Sequence, residues 1–253
     1  MPSLATDFFP SDWKGADVVF LDCDSTLSSI EGIDELALRR EVDVAHLTAR
    51  AMAGELPLDS VYGERLRLIH PTDSDLNWLA ERYWETRLPG ALETVSALQG
   101  MGIRVCVVSG GLLPAVQPFA ERLGVAFSDI YAVPYPLDSS DPIAEACAHP
   151  LAKNGGKPIV VEEACGEDMP KECRMLVGDG VSDLEASPVL GLFVGFGAIE
   201  ARSRVHAEAP AFLGGPGLWA VALYAAGPSR LETLRKTAPK VYEYAVSEAS
   251  PPR

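Results

Sequence analysis

Short apolar runs recur along the chain, and several of them end at a cluster of polar residues or glycines. Such runs are typical of parallel strands that are buried on both faces of a sheet. We predict strands of this kind at 18–21, 103–108, 175–177 and 192–194. The run 130–133 has the same composition, and we interpret it as a strand of a hairpin or flap.

Helical spacing replaces the strand pattern between the first two runs. Ile33, Leu36 and Ala37 begin a series of apolar residues three and four positions apart, and Asp73 supplies a helix start. We predict helices near 33–40, 47–52, 58–69 and 76–83. Pro89-Gly90 then marks a turn. Residues 31–88 are therefore predicted to form a helical cap inserted into a core domain of residues 1–30 and 89–253.

Strands and helices alternate again after this insert. We predict helices at 92–98 and 115–123 and another that opens at Lys157-Pro158, because proline is favoured in the first turn. Residues 139–156 are rich in proline, alanine and glycine and indicate a loop, and 226–253 indicates a C-terminal helix and tail. This alternation predicts an α/β fold with a Rossmann-type parallel sheet.

Polar motifs follow the predicted strands in a fixed order. Asp22, Asp24 and Thr26 follow the first strand, and Ser109-Gly110 follows the second. Lys157 comes next, and Asp179 and Asp183 follow the strand at 175–177. Because ligands of open parallel sheets lie outside the carboxyl ends of the strands, we expect these side chains to surround one point. Carboxylates, a hydroxyl and a lysine together indicate a site for phosphate and a metal ion.

The two aspartates of the first motif are suited to two different catalytic roles. Asp22 is anionic at neutral pH and can act as a nucleophile. Asp24 faces the same side of an extended segment and can serve as the acid and base. Two like charges ~4 Å apart repel by roughly 4 kcal/mol at an effective dielectric of about 20. A phosphate could approach these carboxylates only with a divalent cation, so we predict Mg²⁺ bound by Asp22 and Asp179.

The remaining motifs fit binding of the phosphoryl group. Ser109, Lys157 and the backbone N–H of Gly110 are expected to hold its oxygens for in-line transfer. Each motif alone has a simpler reading: a calcium loop for the Asp-x-Asp-x-Thr segment, a turn serine, a surface lysine, and a helix cap at Asp183. Their conjunction, in order and at the predicted strand ends, favours an enzyme.

Composition narrows the possible partners and environments. The chain has 253 residues, of which 47% are hydrophobic, and a formal net charge of −15, which argues against nucleic acid or an anionic membrane as a partner. No apolar segment approaches ~20 residues, so we expect neither a membrane span nor a signal peptide, and a cytoplasmic location. Five cysteines without C-x-x-C spacing do not indicate zinc. Cys23 is a conceivable thiol nucleophile or, more simply, a small residue at a strand end. The sequence leaves the oligomeric state open.

These motifs resemble the four motifs of the haloacid dehalogenase (HAD) superfamily of phosphatases, and residues 22–37 are similar to the opening of the phosphoserine phosphatase family. The resemblance implies a helical-bundle cap, Mg²⁺ and an aspartyl-phosphate intermediate on Asp22. It also implies that the backbone carbonyl of Asp24 joins the metal ligands. Thr26, Ser182 and Asp183 are expected to surround those ligands.

The same resemblance assigns a substrate to the cap. It implies that Glu31 meets the substrate ammonium, that Arg65 meets its carboxylate, and that Met52 forms an apolar wall. An arginine fork does bind a carboxylate in bidentate fashion. Without the resemblance, Glu31 reads as a first-turn acid, Arg65 as a surface ion-pair partner of Glu64 or Asp59, and Met52 as core filling.

The resulting hypothesis is a phosphatase that makes L-serine from O-phospho-L-serine, at the end of serine biosynthesis. Phosphothreonine and phosphohomoserine are alternative small phosphomonoesters, and a catalytically silent phosphate-binding module is an alternative of another class. The sequence departs from the family pattern at Leu58, Pro158 and Ser182.

Overall fold

A single parallel sheet organises the core. The computed structural model describes residues 9–44, 46–47 and 58–249. Its strands are β1 (Val18–Leu21), β2 (Arg104–Leu112), β3 (Ile130–Val133), β4 (Arg174–Gly178), β5 (Leu192–Phe196) and β6 (Ala211–Leu213). They run in the order β3-β2-β1-β4-β5-β6, and every pairing is parallel. The order reverses between β1 and β4, which is where open sheets of this kind bind ligands.

The strands form where the sequence is apolar at consecutive positions. Every residue of β1, β4 and β5 is buried, as expected for a sheet that is covered on both faces. The prediction for 130–133 needs a correction, since β3 is a parallel strand beside β2 and not part of a hairpin or flap. β6 was not predicted, because three residues are too few to produce a recognisable apolar run.

Helices cover the sheet and fill the interval between its first two strands. Among the described residues they are α1 (Gly32–Arg39), α2 (Leu58–Ile69), α3 (Asp73–Glu85), α4 (Ala91–Gly100), α5 (Leu113–Arg122), α6 (Pro142–Ala148), α7 (Gly156–Cys165), α8 (Val181–Leu184), α9 (Ser203–Glu208), α10 (Trp219–Thr237) and α11 (Pro239–Ala249). Within this part of the chain, no helix combines the length and apolarity needed to cross a bilayer.

Of the described helices between β1 and β2, α1, α2 and α3 lie within residues 31–88, the segment predicted as a helical insert. α3 begins one residue after Thr72, whose hydroxyl accepts a hydrogen bond from the Asp75 N–H, while the Asp75 carboxylate accepts one from the Thr72 N–H. This capping box fixes the helix start. An antiparallel bridge between Ser28 and Arg87 joins the two chain segments that lead into and out of the insert.

One prediction about an irregular segment was wrong. The stretch 139–156 was expected to be a loop, but it contains α6, whose first turn is capped by the Asp141 carboxylate. The C-terminal helix predicted within 226–253 is divided in the structure. Its first part is the half of α10 that follows a break at Gly227, where φ is +53°. Its second part is α11, which starts at Pro239 because proline is tolerated at a helix start and not in its interior.

The segment that precedes β1 contacts the first half of α10. The Trp13 indole N–H donates to the Tyr224 carbonyl at 2.7 Å, and the Ala16 N–H donates to the Ala225 carbonyl at 2.8 Å. Trp13 and Ala16 are both buried. The segment that leads into β1 is therefore held by the first half of α10.

Candidate active site

The site begins at the carboxyl end of β1. The Asp22 N–H donates to the Val177 carbonyl at 3.0 Å, which continues the pairing of β1 with β4. The Asp22 side chain is buried. Its Oδ1 accepts a hydrogen bond from the Cys23 N–H at 2.8 Å and lies 3.0 Å from the Lys157 ammonium. These contacts fix the orientation of the carboxylate.

A tight turn over Cys23–Leu27 carries the rest of the first motif. Ser25 adopts the left-handed backbone conformation, with φ at +51°, which is uncommon outside glycine and is found at functional sites. Within this turn, the Thr26 hydroxyl donates to Asp179 at 3.4 Å. The Asp24 carboxylate accepts hydrogen bonds from the Gly32 N–H and the Tyr83 hydroxyl, both at 2.8 Å.

The carboxyl end of β4 contributes two more acids. Gly178 allows Asp183 to fold back under the strand end, since a Cβ on this glycine would lie 2.2 Å from the Asp183 carboxyl carbon. The Asp183 carboxylate accepts a hydrogen bond from the Gly180 N–H at 2.9 Å. Oxygens of Asp22, Asp179 and Asp183 all lie within 4.8 Å of one another, and all three side chains are buried.

Lys157 supplies the opposing charge from the first turn of α7. Its ammonium is buried and pairs with Asp183 as well as with Asp22. Burial lowers the pKa of Lys157, but the charges of Asp183 and Asp22 outweigh burial and raise this pKa above its usual value. The lysine therefore remains charged at neutral pH.

The buried acids outnumber this one ammonium, and their pKa values are raised. Burial, reinforced by the charge of Asp22, raises the pKa of Asp24 to about 7 and that of Asp179 to about 6. The same two causes raise the pKa of Asp183. A cluster of buried carboxylates that repel one another in this way is suited to a hard divalent cation, which takes oxygen ligands.

The carboxyl end of β2 brings the second motif to the same edge of the sheet. Ser109 is fully buried, and its hydroxyl oxygen accepts a hydrogen bond from the Gly111 N–H at 2.9 Å. The Gly110 carbonyl accepts a hydrogen bond from the Tyr62 hydroxyl at 2.9 Å. Since Tyr62 belongs to α2, this contact joins the helical insert to the sheet.

The residues expected to bind the substrate's amino-acid part differ in their surroundings. Glu31 accepts a hydrogen bond from the Ser25 hydroxyl at 2.7 Å, and burial, reinforced by the charge of Asp24, raises its pKa to about 7. Arg65 pairs with Asp34 of α1, and its Nε is buried without a described partner. Met52 lies outside the described residues.

Two expectations about neighbouring residues can be compared with the structure. Ser182 is exposed in α8, whereas Asp183 points into the acid cluster. Cys23 is fully buried, and burial raises the pKa of its thiol well above the usual range, as do the charges of Asp24 and Asp22. A thiol held in its neutral form is a poor nucleophile, so the structure favours the simpler reading of Cys23.

Two residues of the site were missed by the sequence analysis. Arg202 donates from Nε to Asp179 at 2.9 Å and lies 3.5 Å from Glu31. Tyr83 reaches Asp24 from α3. Arg202 precedes a short helix without any motif around it, and Tyr83 fitted the apolar spacing of its helix, so neither carried a separate signal.

Comparison with known proteins agrees with this arrangement. The profile of the haloacid dehalogenase-like hydrolases matches residues 19–187. Human phosphoserine phosphatase is 35% identical over 208 residues, which cover 77% of this chain and 87% of the human protein. The chain belongs to the phosphoserine phosphatase family of haloacid dehalogenase-like hydrolases. The chloroplastic phosphoserine phosphatase of Arabidopsis thaliana is another member, 32% identical over 78% of this chain and 68% of its own length.

Solved structures of the family share the fold. A phosphoserine phosphatase with an analogue of the phospho-aspartyl intermediate is 27% identical, with a TM-score of 0.62 over 84% of this chain and 99% of that one. A substrate-bound phosphoserine phosphatase complex is 26% identical in sequence, with a TM-score of 0.61 over 83% of this chain and 99% of that one. The predicted α/β fold and the membership in this family are thereby confirmed, and the chain is a phosphoric monoester hydrolase.

Proposed function

We propose that this chain hydrolyses O-phospho-L-serine to L-serine and phosphate, with Mg²⁺ as its metal ion. The observation that carries the proposal is the cluster of Asp22, Asp179 and Asp183 at the ends of β1 and β4, in which the Lys157 ammonium pairs with Asp22 and Asp183. Membership in the phosphoserine phosphatase family supports the same reaction.

The donor set fits a small, hard cation. The buried acids present oxygen atoms within 4.8 Å of one another, and Mg²⁺ prefers such ligands together with phosphate oxygens. Asp22, Asp179 and the backbone carbonyl of Asp24 would hold the ion, while Thr26, Ser182 and Asp183 would surround these ligands. When bound, Mg²⁺ neutralises the carboxylates and polarises the phosphoryl group.

Asp22 is the nucleophile. Lys157 and the Cys23 N–H both contact its Oδ1, so we assign the attack to Oδ2. This oxygen forms a bond to phosphorus while the bond between phosphorus and the serine oxygen breaks, which gives an aspartyl-phosphate and a serine alkoxide. Asp24 donates a proton to the alkoxide. Asp24 then accepts a proton from a water molecule that attacks phosphorus, and phosphate and the free Asp22 carboxylate result.

The other residues bind the substrate. Ser109, the Gly110 N–H and Lys157 hold the phosphoryl oxygens. Glu31 binds the ammonium of the substrate and Arg65 its carboxylate, which takes the place of Asp34 on the arginine fork. The family resemblance assigns Met52 the role of an apolar wall of the substrate pocket.

The proposed domains follow the chain. Residues 31–88 form the cap, and residues 1–30 and 89–253 form the core, with residues 226–253 as its C-terminal helical part and tail. We assign the enzyme to the cytoplasm and to the last step of serine biosynthesis, acting on a small molecule and not on nucleic acid.

Phosphate release from a panel of substrates tests the proposal. The panel contains O-phospho-L-serine, O-phosphothreonine, phosphohomoserine, sugar phosphates and p-nitrophenyl phosphate, each with Mg²⁺ or with EDTA. We expect phosphoserine to give the highest kcat/KM and EDTA to stop turnover. Asp22→Asn should be inactive, and Asp168→Asn, at an exposed position, should be fully active. Turnover in EDTA or in Asp22→Asn would exclude the mechanism, and a preference for another phosphomonoester would exclude the substrate.

A further inference from the structure

Tyr83 joins the helical insert to the first motif through a buried hydroxyl. Its side chain is fully buried in α3, and its ring stacks on Phe119 of α5, with centroids 5.5 Å apart and an interplanar angle of 22°. The hydroxyl donates to Oδ1 of Asp24 at 2.8 Å. A phenol with a reference pKa of about 10 keeps its proton throughout the neutral range, so this hydrogen bond is present wherever the enzyme works.

The position of this hydroxyl is closely confined. A Cβ on Gly32 would lie 1.9 Å from the Tyr83 oxygen, and a Cβ on Gly111 would lie 3.2 Å from it. The Gly32 N–H donates to the same Oδ1 of Asp24 at 2.8 Å. Two fixed donors, one from α1 and one from α3, therefore converge on one carboxylate oxygen and determine where the other oxygen points.

We propose that Tyr83 is a positioning residue, whose hydroxyl orients Asp24 so that its Oδ2 faces the bond that breaks. This inference rests on the proposed function, in which Asp24 is the acid and base. The proton moves from Oδ2 to the serine oxygen as the bond to phosphorus breaks, and later from water to Oδ2 as water attacks the aspartyl-phosphate. Tyr83 retains its own proton in both steps.

The role predicts a separation of kcat from KM. The described hydrogen bond of the Tyr83 hydroxyl goes to the acid, so its loss should affect the chemical steps more than binding. Hydrogen bonds to charged groups are strong and depend on geometry. For Tyr83→Phe we therefore expect kcat on phosphoserine to fall by about tenfold or more, while KM changes by less than about twofold.

The choice of leaving group separates positioning from a general structural effect. p-Nitrophenolate leaves without needing a proton, so Asp24 does not limit the first step with p-nitrophenyl phosphate. The rate of the p-nitrophenolate burst in Tyr83→Phe should therefore equal that of the wild type, while hydrolysis of the phosphoenzyme is slow. Tyr131→Phe is the matched control. It removes a hydroxyl that contacts Arg104, at the start of β2 and the opposite end of the sheet, and it should leave all rates unchanged.

A second variant reaches the same hydroxyl by another route. Gly32→Ala keeps Tyr83 but places a Cβ 1.9 Å from its oxygen and 3.3 Å from Oδ1 of Asp24. It therefore disturbs the hydrogen bond between these atoms and should reproduce the fall in kcat even if Tyr83→Phe folds poorly. A double-mutant cycle with Asp24→Asn completes the test. If Tyr83 acts through Asp24, Tyr83→Phe should add little to the loss already caused by Asp24→Asn.

The outcomes distinguish this inference from the proposed function. Wild-type kcat in both Tyr83→Phe and Gly32→Ala, with kcat strongly reduced but still measurable in Asp24→Asn, would overturn the role of Tyr83 alone. Additive losses in the cycle, or an equal fall in the p-nitrophenolate burst, would also overturn it and make Tyr83 structural. Full activity of Asp24→Asn would instead overturn the acid and base role in the proposed function.

Discussion

Lys157 lies between the buried carboxylates of Asp22 and Asp183, and its replacement by methionine tests how much stability this one ammonium supplies. Methionine preserves most of the apolar stem of the side chain and removes the charge. The two carboxylates then remain buried without their described cation. We expect Lys157→Met to be inactive and, in the absence of metal, markedly less stable than the wild type.

The magnitude follows from two opposing contributions. Each ion pair contributes roughly 4 kcal/mol of attraction at ~4 Å and an effective dielectric of about 20. Removing the ammonium also removes its desolvation cost, which is several kcal/mol for a buried ion. The net loss on breaking a buried pair is about 3–5 kcal/mol. In a chain of this size, that loss corresponds to a fall in Tm of roughly 6–20 °C.

Urea unfolding near neutral pH with EDTA measures this loss directly. Equal slopes in the wild type and the variant would show that the midpoint reports stability alone. Lys153→Met serves as the control, because Lys153 is exposed and its ammonium donates to the Ala148 carbonyl. Its free energy of unfolding should change by less than about 0.5 kcal/mol.

A second substitution tests the cause of the loss. In Lys157→Met/Asp183→Asn one of the uncompensated carboxylates is gone, so we expect about 1–3 kcal/mol of stability to return relative to Lys157→Met. Activity should not return. Wild-type stability of Lys157→Met, or a double variant less stable than the single one, would refute the reasoning.

Three further predictions concern the metal ion, pH and the substrate. The pKa of Asp179 is raised to about 6 and that of Asp24 to about 7. Protonation of these two groups therefore stabilises the folded state fully below pH ~4, and this stabilisation is lost as the pH rises through the two pKa values. Because Mg²⁺ competes with the same protons, it should raise Tm more near pH 8 than near pH 5.5, and equal shifts would contradict the linkage. Asp179→Ala should raise the Mg²⁺ concentration needed for half-maximal phosphate release more than Asp183→Ala does. The reverse order would make Asp183 the metal ligand and Asp179 a residue that supports the ligands. Arg65→Ala should lower kcat/KM on phosphoserine by roughly thirtyfold to several thousandfold, or about 2–5 kcal/mol, with little effect on p-nitrophenyl phosphate. Arg67→Ala, at an exposed position of the same helix, is the control, and equal losses on both substrates would make Arg65 structural.

The residues of the site that follow the strands were predictable because the strands produce a local pattern in the sequence. Asp22, Ser109 and Asp179 each follow a run of residues that is apolar at consecutive positions, and such runs form buried parallel strands. Parallel strands place their carboxyl ends at one edge of the sheet, so residues far apart in the sequence could be expected to meet there. Lys157 could be added because a glycine pair and a proline indicate a helix start.

Other features depend on contacts that no local pattern encodes. Tyr83 lies 59 residues from Asp24, in a helix whose apolar spacing is satisfied equally well by a tyrosine that only fills the core. Arg202 reaches Asp179 from the start of a six-residue helix. β6 is three residues long and exists because β5 offers it a paired edge. The sheet order is likewise a tertiary property, and the strand at 130–133 was misassigned for that reason.

The contact between the segment before β1 and α10 can form only late in synthesis, after most of the chain has been made. β1 is a central strand that pairs with β2 on one side and β4 on the other. The Trp13 side chain, which precedes β1, donates a hydrogen bond to the carbonyl of Tyr224, 211 residues further along the chain. Contacts between residues so distant in sequence slow folding, because each closes a long loop before it adds stability. A nascent chain emerges from its N-terminus, so the segment before β1 is synthesised long before its hydrogen-bond partners in α10. Until α10 has been synthesised, Trp13 and Ala16 lack these hydrogen-bond partners, and the apolar Trp13 ring is exposed to aggregation or to chaperones.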